Sequence, residues 1–483
     1  MTTSPTTAGP TASGPTPIDA RAVAALGSEV LDWRHKSVPA AFHGQTAAAF
    51  AASREPLGAL QTPLLTLDSS ALEGNLARFA RWCREHGVLV APHGKTTMSP
   101  QLWARQLELG AWGITLANAA QLRVARHFGV QRLMLANSLT DPQAIRWAAG
   151  EVRAGAEIIS WVDSTRTVEL LESVLADASP AARTVLDVVV ELGGASGRTG
   201  ARTAEEALDV ARAAAAAPHL RVVGVGGYEG ALAHTADDAG LAAVRAYLAS
   251  VRSLHEKLLA EGLYGSDSVI VTAGGSAYFD DVVEILAPCS TAGDGGAGDG
   301  GAHHRAAPRV DVADSLATDG GAHHRAAPRV DVVLRSGAYL IHDDGFYRGI
   351  SPFSRTDPDA ETAFHSAMHA WARVVSQPEP GLAILDAGKR DLSVDEGLPV
   401  PQLIGAGLGT AMRTLDGAWI TAVNDQHAFM SFDPAESVRP GDVVRLGLSH
   451  PCTALDKWTL IPVIDSAASP QDAVVVGTVR TFF

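Results

Sequence analysis

The most constraining feature of this sequence is a regular alternation of short apolar runs with longer amphipathic runs over residues 61–340. The apolar runs include "VLVA", "GITLA", "RLMLA", "EIISWV", "VLDVVVEL", "LRVVGVG", "SVIVTAG" and "VDVVLRS". Helical apolar spacing between them predicts helices at 69–85, 117–128, 141–152, 164–176, 202–217 and 235–261. Such alternation predicts a parallel sheet with helical crossovers. Eight or nine units favour a closed (β/α)8 barrel, a fold of the α/β class, over an open sheet.

The segments on either side of the barrel region have other textures. Residues 1–17 are rich in Ser, Thr, Pro and Gly, which predicts a disordered tail. We interpret residues 18–60 as an N-terminal helical arm. Over residues 341–483, short runs such as "GLAILDAG" and "DVVRLGL" alternate with turn residues, so we expect a mostly β C-terminal domain.

One segment, about 288–329, interrupts the alternation. It holds the sequence "DGGAHHRAAPRVDV" at 299–312, which is repeated letter for letter at 319–332. Two copies without an apolar pattern cannot stack into a core, so we interpret them as a tandem duplication in a surface insertion. The second copy is predicted to supply the start of the next strand. Its histidines and those of the first copy are weak candidates for a metal site: His303, His304, His323 and His324.

Composition narrows the class of function. The 483 residues carry a formal net charge of -15, which argues against nucleic acid or an anionic membrane as partner and favours a small-molecule substrate. Three cysteines without framework spacing fit a reducing compartment. No apolar run approaches the roughly 20 residues of a membrane span, and the N-terminus lacks signal-peptide character. We therefore expect a cytoplasmic protein.

The stretch "LVAPHGKTTMSP" (89–100) places Lys95 between an apolar run and a helix start. Ser99 and Pro100 are typical of an N-cap and a first helical residue. A lysine near a helix N-terminus opposes the helix dipole, so it gains no stability there. A solvated loop lysine is the common explanation of such a residue. The alternative is an amine with a lowered pKa that acts as nucleophile or base.

Glycine-rich stretches follow several later strands. Arg198 lies in "ELGGASGRTG" (191–200); an arginine in such a loop is usually a surface residue, but its fork of donors also suits a ring nitrogen or an anion. Tyr228 lies in "GYEG", where a half-buried barrel-rim tyrosine and a site residue are equally acceptable interpretations. "TAGGS" (272–276) and "RSGAY" (335–339) follow late strands, and backbone amides there could bind phosphate. A lysine, an arginine and two phosphate loops on one barrel rim suit pyridoxal 5'-phosphate.

The stretch "SHPC" (449–452) offers a second site. In an extended chain, residues two apart face the same side, so His450 and Cys452 can converge on one ion. Imidazole and thiolate together suit zinc. A buried cysteine beside a chance histidine is the alternative.

Longer stretches resemble a known family. "PHGKTTMSPQLWARQLELGAWGITLANAAQ", "GRTG", "GYEGALAH", "VTAGGSAYFD", "LRSGAYLIHDDGFY", "ILDAGKRDLSVDEGLP", "NDQHAF" and "SHPCTALDKW" are similar to the D-threonine aldolase and D-serine dehydratase-like proteins, which are pyridoxal phosphate enzymes of the alanine racemase fold. The resemblance covers roughly 60–483. By analogy with alanine racemase, "VLVA" would be the first barrel strand and "VDVVLRS" the last, whereas "LLTL" would join the β domain.

The resemblance also implies site residues. Lys95 would carry the cofactor, Arg198 would face the pyridine nitrogen, and the Gly-Ser loops would bind phosphate. The full set implied at the cofactor is Lys95, His93, Arg198, Tyr228, Gly274, Gly275, Ser276, Gly337 and Tyr339. His450 and Cys452 would bind zinc or another divalent cation. Thr97 and Met98 replace the His-Lys that usually follows Lys-Thr, which indicates a separate branch of the family, here an amino acid deaminase branch.

From these features we expect a homodimeric lyase acting on a D-β-hydroxy amino acid, with deamination of the D-serine type. Lys95 would remove the α-proton, and zinc would polarise the β-hydroxyl as it leaves. One rival is retro-aldol cleavage of D-threonine, for which His427 in "NDQHAF" is a candidate base. The other rival is a non-catalytic protein that binds pyridoxal phosphate.

Overall fold

The computed structural model describes residues 16–177, 184–195, 197–290, 327–355, 357 and 361–483. The first repeat copy, most of the predicted tail and the four repeat histidines lie outside the described residues. None of the described helices is long and apolar enough to span a membrane.

Eight parallel strands form the barrel predicted from the sequence: β2 (Leu89–Val90), β3 (Ile114–Leu116), β4 (Arg132–Ser138), β5 (Glu157–Val162), β6 (Leu186–Glu191), β7 (Leu220–Gly226), β8 (Ser268–Ala273) and β9 (Arg329–Leu334). Their order in the sheet is β2-β9-β8-β7-β6-β5-β4-β3. A parallel bridge between His93 and Thr115 joins the two ends, just after β2 and β3. The fold-class prediction is therefore confirmed, including the first and last barrel strands.

The helices between these strands bury one face each against the barrel. They are α3 (Ser69–Glu85), α4 (Pro100–Glu108), α5 (Ala119–His127), α6 (Pro142–Arg153), α7 (Thr165–Ala176), α8 (Ala204–Ala216), α9 (Asp238–Ala260) and α10 (Phe279–Leu286). Side-chain caps fix several starts; for example, Ser164 and Thr203 form capping boxes. Inside the barrel, Trp161, Met134, Val189, Ile270 and neighbouring side chains fill the interior.

The second sheet is mostly antiparallel. Its strands are β1 (Leu64–Asp68), β10 (Met368–Glu379), β11 (Leu382–Leu385), β12 (Val400–Gly405), β13 (Arg413–Thr414), β14 (Trp419–Val423), β15 (Ala428–Ser431), β16 (Val443–Gly447), β17 (Leu460–Ile464) and β18 (Val475–Arg480). β1 pairs with β10 and β17, so "LLTL" joins this sheet although it precedes the barrel in the chain. The barrel itself thus begins after β1. Two short helices, α11 (Phe346–Ile350) and α12 (Pro451–Leu455), lie beside the barrel mouth.

The N-terminal arm is only partly helical. It contains α1 (Ala20–Ala25) and α2 (Ala47–Ser53), joined by turns. Leu31, Phe50 and Leu57 are buried against Trp371 and other apolar residues of the second sheet. The arm therefore contributes to the core of the C-terminal domain.

The ends of the insertion lie side by side. The Ser290 hydroxyl donates to the Val330 carbonyl at 3.1 Å, across the gap between 290 and 327. β9 begins at Arg329, within the second repeat copy, whose sequence "RVDV" continues into the strand. The barrel thus closes across the segment independently of its length.

Candidate active site

Lys95 stands at the carboxyl end of the first barrel strand. The chain leaves β2 through His93, whose backbone N–H donates to the Arg335 carbonyl at 3.2 Å, and then makes a tight turn over Gly94–Thr96. A Cβ on Gly337 would lie 2.5 Å from the His93 carbonyl oxygen, so a glycine is required where these two loops meet. Helix α4 starts at Pro100 with Ser99 at the N-cap position, as predicted, although the Ser99 side chain makes no capping hydrogen bond.

A cavity of about 510 Å³ opens above Lys95. It lies at the carboxyl ends of the barrel strands, where enzymes of this barrel architecture bind their substrates. Trp161 and Glu191 form part of its floor, and side chains from the C-terminal part of the chain close one side. Further lining residues are His93, Arg198, Tyr228, Gly274, Gly275, Ser276, Arg335, Gly337, Phe346, Tyr347, Glu396, His450 and Cys452.

The environment lowers the pKa of Lys95. Burial in the cavity has the largest effect, since it penalises the charged amine; the nearby Cys452 opposes this, whereas Arg198 and Arg335 reinforce it. A lysine with a lowered pKa can act as nucleophile and base. The geometry supports that alternative over a solvated loop lysine.

Two arginines face the cavity in different ways. Arg198 is exposed, with its guanidinium carbon 4.9 Å from the centre of the Tyr228 ring. Arg335 is buried on the floor, where it donates to the Thr272 hydroxyl at 2.7 Å and the Gly227 carbonyl at 2.5 Å. Sequence reasoning missed Arg335, although it directly precedes the Ser-Gly loop. Its burial makes it the better-fixed cation against a bound ring.

The first glycine loop is not an open phosphate cradle. The carboxylate of Glu229, which is fully buried, accepts the amide of Gly274 at 3.0 Å and that of Gly275 at 2.5 Å. Both amides are therefore occupied by Glu229, and a role of Gly274 and Gly275 in phosphate binding stays a prediction. Ser276 and the Gly337 loop line the cavity and carry no such internal anion.

Tyr339 does not line the cavity, and this position corrects the prediction that it contacts the cofactor. The tight turn Ala338–Leu340 directs its ring into the core, 4.2 Å from the centre of the Phe79 ring. Its hydroxyl accepts a hydrogen bond from Gln106 at 3.1 Å. His427, the candidate base for aldol cleavage, lies in an exposed turn between β14 and β15, outside the lining of this cavity.

His450 and Cys452 converge on the cavity beside Lys95. Burial alone would lower the pKa of His450, but Cys452 and Asp395 raise it to about 9. Burial alone would raise the pKa of Cys452; hydrogen bonds with His450 and Thr96 lower it below its ordinary value. The Thr96 hydroxyl lies 3.3 Å from the Cys452 sulfur. Cys452 and His450 therefore interact directly, and each favours the charged form of the other.

His450 and Cys452 could supply part of the coordination of a zinc-type ion. They supply two ligands that zinc prefers. Within the described ranges, no cluster of three or more His, Cys, Asp or Glu side chains could hold a metal. A structural zinc takes four protein ligands, so these two residues suit an ion with open positions for other ligands.

Two further polar groups on the cavity wall lack partners among the described residues. Glu191 accepts the Thr199 hydroxyl at 2.8 Å with one oxygen, but its other oxygen has no hydrogen-bond partner. Burial raises the pKa of Glu191 to about 7. His93 has an unpartnered Nδ1, and burial holds its pKa well below its usual range.

The donor set fits pyridoxal phosphate. The cavity volume lies within the range of roughly 300–1,000 Å³ typical of ligand sites. It combines an amine of lowered pKa, a buried guanidinium, an aromatic floor and loops with backbone donors. These are the groups that a phosphorylated heteroaromatic aldehyde requires.

Two domain families match the chain. "Alanine racemase, N-terminal domain" matches residues 67–281, and "Putative serine dehydratase domain" matches residues 367–464. The first match covers most of the barrel and the second covers strands β10 to β17 of the C-terminal sheet.

Two relatives of known name are distant from the chain in sequence. The chain is 25% identical to a D-threonine aldolase from an Arthrobacter species over 397 residues, 82% of this chain and 87% of the relative. It is 27% identical to a 3-hydroxy-D-aspartate aldolase from Paracoccus denitrificans over 345 residues, 70% of this chain and 75% of the relative.

Solved structures share the fold. A D-threonine aldolase from Filomicrobium marinum superposes with a TM-score of 0.64 at 22% identity, covering 88% of this chain and 97% of that one. A D-threo-3-hydroxyaspartate dehydratase from a Delftia species gives 0.64 at 20% identity, covering 89% and 99%. A D-threo-3-hydroxyaspartate dehydratase in which alanine replaces one cysteine has also been solved, in a metal-free form.

Proposed function

We propose that this chain, which matches the alanine racemase N-terminal domain over 67–281 and the serine dehydratase domain over 367–464, belongs with the D-threonine aldolase and D-serine dehydratase-like proteins. On that premise it is a pyridoxal phosphate-dependent lyase acting on D-β-hydroxy amino acids. The observation that carries the proposal is Lys95, an amine of lowered pKa on the same cavity wall as the His450–Cys452 pair. The related aldolases and the dehydratase of like fold support the lyase class.

Lys95 would hold the cofactor through its amine, and the free Nζ would take the α-proton of the substrate. Pyridoxal phosphate supplies the electron sink that makes this proton acidic. The resemblance implies that Arg198 faces the pyridine nitrogen, but Arg198 is exposed at the mouth, whereas Arg335 is buried on the floor. Arg335 would therefore be the better-placed guanidinium towards the cofactor ring, and Arg198 would be available to a carboxylate of the substrate. Ser276 and the Gly337 loop hold the phosphate.

His450 and Cys452 hold a divalent cation, which we propose to be zinc. When bound, the ion supplies Lewis-acid help to the oxygen of the β-hydroxyl. The metal-free cysteine variant of the dehydratase of like fold supports a metal at such a site. The side chains that act on Cα and on the β-oxygen therefore lie together at one end of the cavity.

Between the two lyase outcomes, we favour elimination of the D-serine type, which gives a 2-oxo acid and ammonia. Elimination needs a base at the α-proton and an acid at the hydroxyl, which Lys95 and the metal pair provide. Retro-aldol cleavage needs a base at the hydroxyl proton instead, and His427 lies outside the described lining of the cavity. A D-threonine aldolase remains the rival because curated relatives carry that name.

The test is a product assay on the purified holoenzyme with zinc. D-Serine should give pyruvate and ammonia, and D-threonine should give 2-oxobutanoate. Acetaldehyde and glycine from D-threonine would identify an aldolase. No turnover of any D-β-hydroxy amino acid, with a bound cofactor, would leave the non-catalytic binder as the correct account.

Partner and compartment belong to the same proposal. We propose a homodimer in the cytoplasm. We also propose that it binds neither nucleic acid nor membrane, because its net charge of -15 would repel both. Sedimentation of the holoenzyme should give twice the mass of the chain, and a monomer at all concentrations would contradict the dimer.

A further inference from the structure

His450 is held by two carboxylates from different parts of the chain. Its ring Nδ1 lies 2.5 Å from an Asp395 oxygen, and its backbone N–H donates to Asp343 at 2.9 Å. The residue has a φ of +57°, a left-handed conformation that non-glycine residues rarely adopt. Strained residues of this kind persist only where the surrounding contacts fix them.

The contact with Asp395 decides which ring nitrogen is available. A carboxylate only accepts hydrogen bonds, so Nδ1 carries the proton and donates to Asp395. Nε2 is then the nitrogen left for Cys452 and the cavity. A metal-binding histidine commonly gives its second nitrogen to a carboxylate in this way, which orients the ring and strengthens the ligand.

Asp395 is itself held in place. Its second oxygen accepts the hydroxyl of Thr453 at 2.6 Å, and Thr453 directly follows Cys452 in α12. The loop that carries Asp395 lies between β11 and β12, outside the barrel and outside α12. Asp395 thus ties the loop between β11 and β12 to the segment that carries His450 and Cys452, without lining the cavity itself.

We propose that Asp395 is a positioning residue that fixes the tautomer and orientation of His450, so that His450 and Cys452 bind a divalent transition-metal ion as a pair. The proposal rests on the metal site of the proposed function. Asp395 makes no bond to the ion; it acts through the imidazole ring. Loss of such a partner typically weakens metal binding by about 10- to 100-fold.

The test is titration of the metal-stripped chain with cobalt(II), followed by the charge-transfer absorption of a cysteine thiolate bound to cobalt. Asp395→Asn should weaken cobalt binding by about 10- to 100-fold while the band at saturation keeps its position. Asp395→Glu should restore part of the affinity. Asp456→Asn is the matched control, because it removes an exposed carboxylate at the end of α12 that pairs with Lys457 outside the cavity lining, and should leave the affinity unchanged.

Three results would overturn the inference. They are wild-type affinity in Asp395→Asn, an equal loss in Asp456→Asn, and loss of pyridoxal phosphate binding together with cobalt binding in Asp395→Asn, which would show a general structural role. If the wild-type chain binds no cobalt, the pair is not a metal site. Product formation from D-serine under chelation would then show separately that the lyase stands without it.

Discussion

At the scale of the residue, the cavity combines a reactive amine, Lys95, and a reactive pair, His450 and Cys452, on one wall. Lys95 has its pKa lowered by burial and by two arginines, and Cys452 has its pKa lowered by His450. The amine is suited to move the α-proton, whereas the thiolate and imidazole are suited to hold a cation. Because the amine and the His450–Cys452 pair act on different atoms of the substrate, substitutions at each should have different effects.

Cys452→Ala should slow elimination from D-serine steeply while α-proton exchange with solvent persists. Losing a Lewis acid costs several kcal/mol, and each ~1.4 kcal/mol is tenfold in rate, so we expect a loss of at least about 100-fold. β-Chloro-D-alanine has a better leaving group and should retain most of its rate. Cys289→Ala, a half-buried thiol outside the cavity lining, is the control. Equal losses for both substrates in a cofactor-bound Cys452→Ala protein would end the metal role.

Glu191→Gln should change the pH dependence of stability. Burial raises the pKa of Glu191 from 4.5 to about 7, so between these values the folded chain holds a proton that the unfolded chain releases. Wild-type stability therefore falls as pH rises from 4.5 to 7, by up to about 3 kcal/mol. The variant lacks this loss, so its melting temperature relative to wild type should be higher at pH 8 than at pH 5. A constant difference across this range would show that Glu191 titrates normally.

Single residues show where sequence reasoning succeeds and fails. Lys95, His450 and Cys452 were found because their local patterns carry chemistry. Arg198 and Arg335 both follow strands in glycine-containing loops, and only the three-dimensional fold decides that Arg335 is the buried one. Tyr339 failed because one tight turn after Gly337 reverses the side-chain direction, which a linear pattern does not record.

At the scale of the element, the loop after β8 depends on a residue from the loop after β7. Glu229 accepts both Gly274 and Gly275 amides, and Gly274 has a φ of +99°. The pairing spans more than forty positions of the chain, so local glycine patterns could not reveal it. The barrel strands and helices, in contrast, were predictable because their periodicity is local.

Glu229→Gln should loosen this loop. A glutamine offers one oxygen to two amides and turns an N–H group towards the other donor, which costs roughly 1–3 kcal/mol. Hydrogen exchange at Gly274 and Gly275 should speed up, and cofactor affinity should fall. Glu284→Gln, an exposed carboxylate on α10, is the control and should change neither. Unchanged hydrogen exchange in Glu229→Gln would show that the two hydrogen bonds to Glu229 do not stabilise the loop.

Shortening the insertion should leave the barrel intact. Ser290 and Val330 are already in hydrogen-bond contact, so deleting residues 292–318 removes one repeat copy without separating the strand ends. The variant should be soluble, should bind pyridoxal phosphate with wild-type affinity, and should unfold at a similar temperature. An insoluble product would mean that the deleted residues form part of the core.

At the scale of the whole molecule, the active site is assembled from both domains. The barrel supplies Lys95 and Arg335, and the C-terminal domain supplies His450 and Cys452. The sequence predicted both domains, and the resemblance predicted that β1 crosses from one to the other. It could not predict how the domains meet, because contacts such as Thr96 with Cys452 join residues far apart in the chain.

The most direct measurement of the central claim is covalent mapping of the cofactor. The chain is loaded with pyridoxal phosphate, reduced with borohydride, digested and analysed by mass spectrometry, alongside Lys95→Ala and Lys257→Ala variants. Lys257 is exposed on α9 and serves as the control. We expect the reduced cofactor on the peptide that contains Lys95 in both the wild type and Lys257→Ala. Lys95→Ala should show neither the label nor the visible absorbance. Labelling confined to other lysines, or a full absorbance band in Lys95→Ala, would contradict the account.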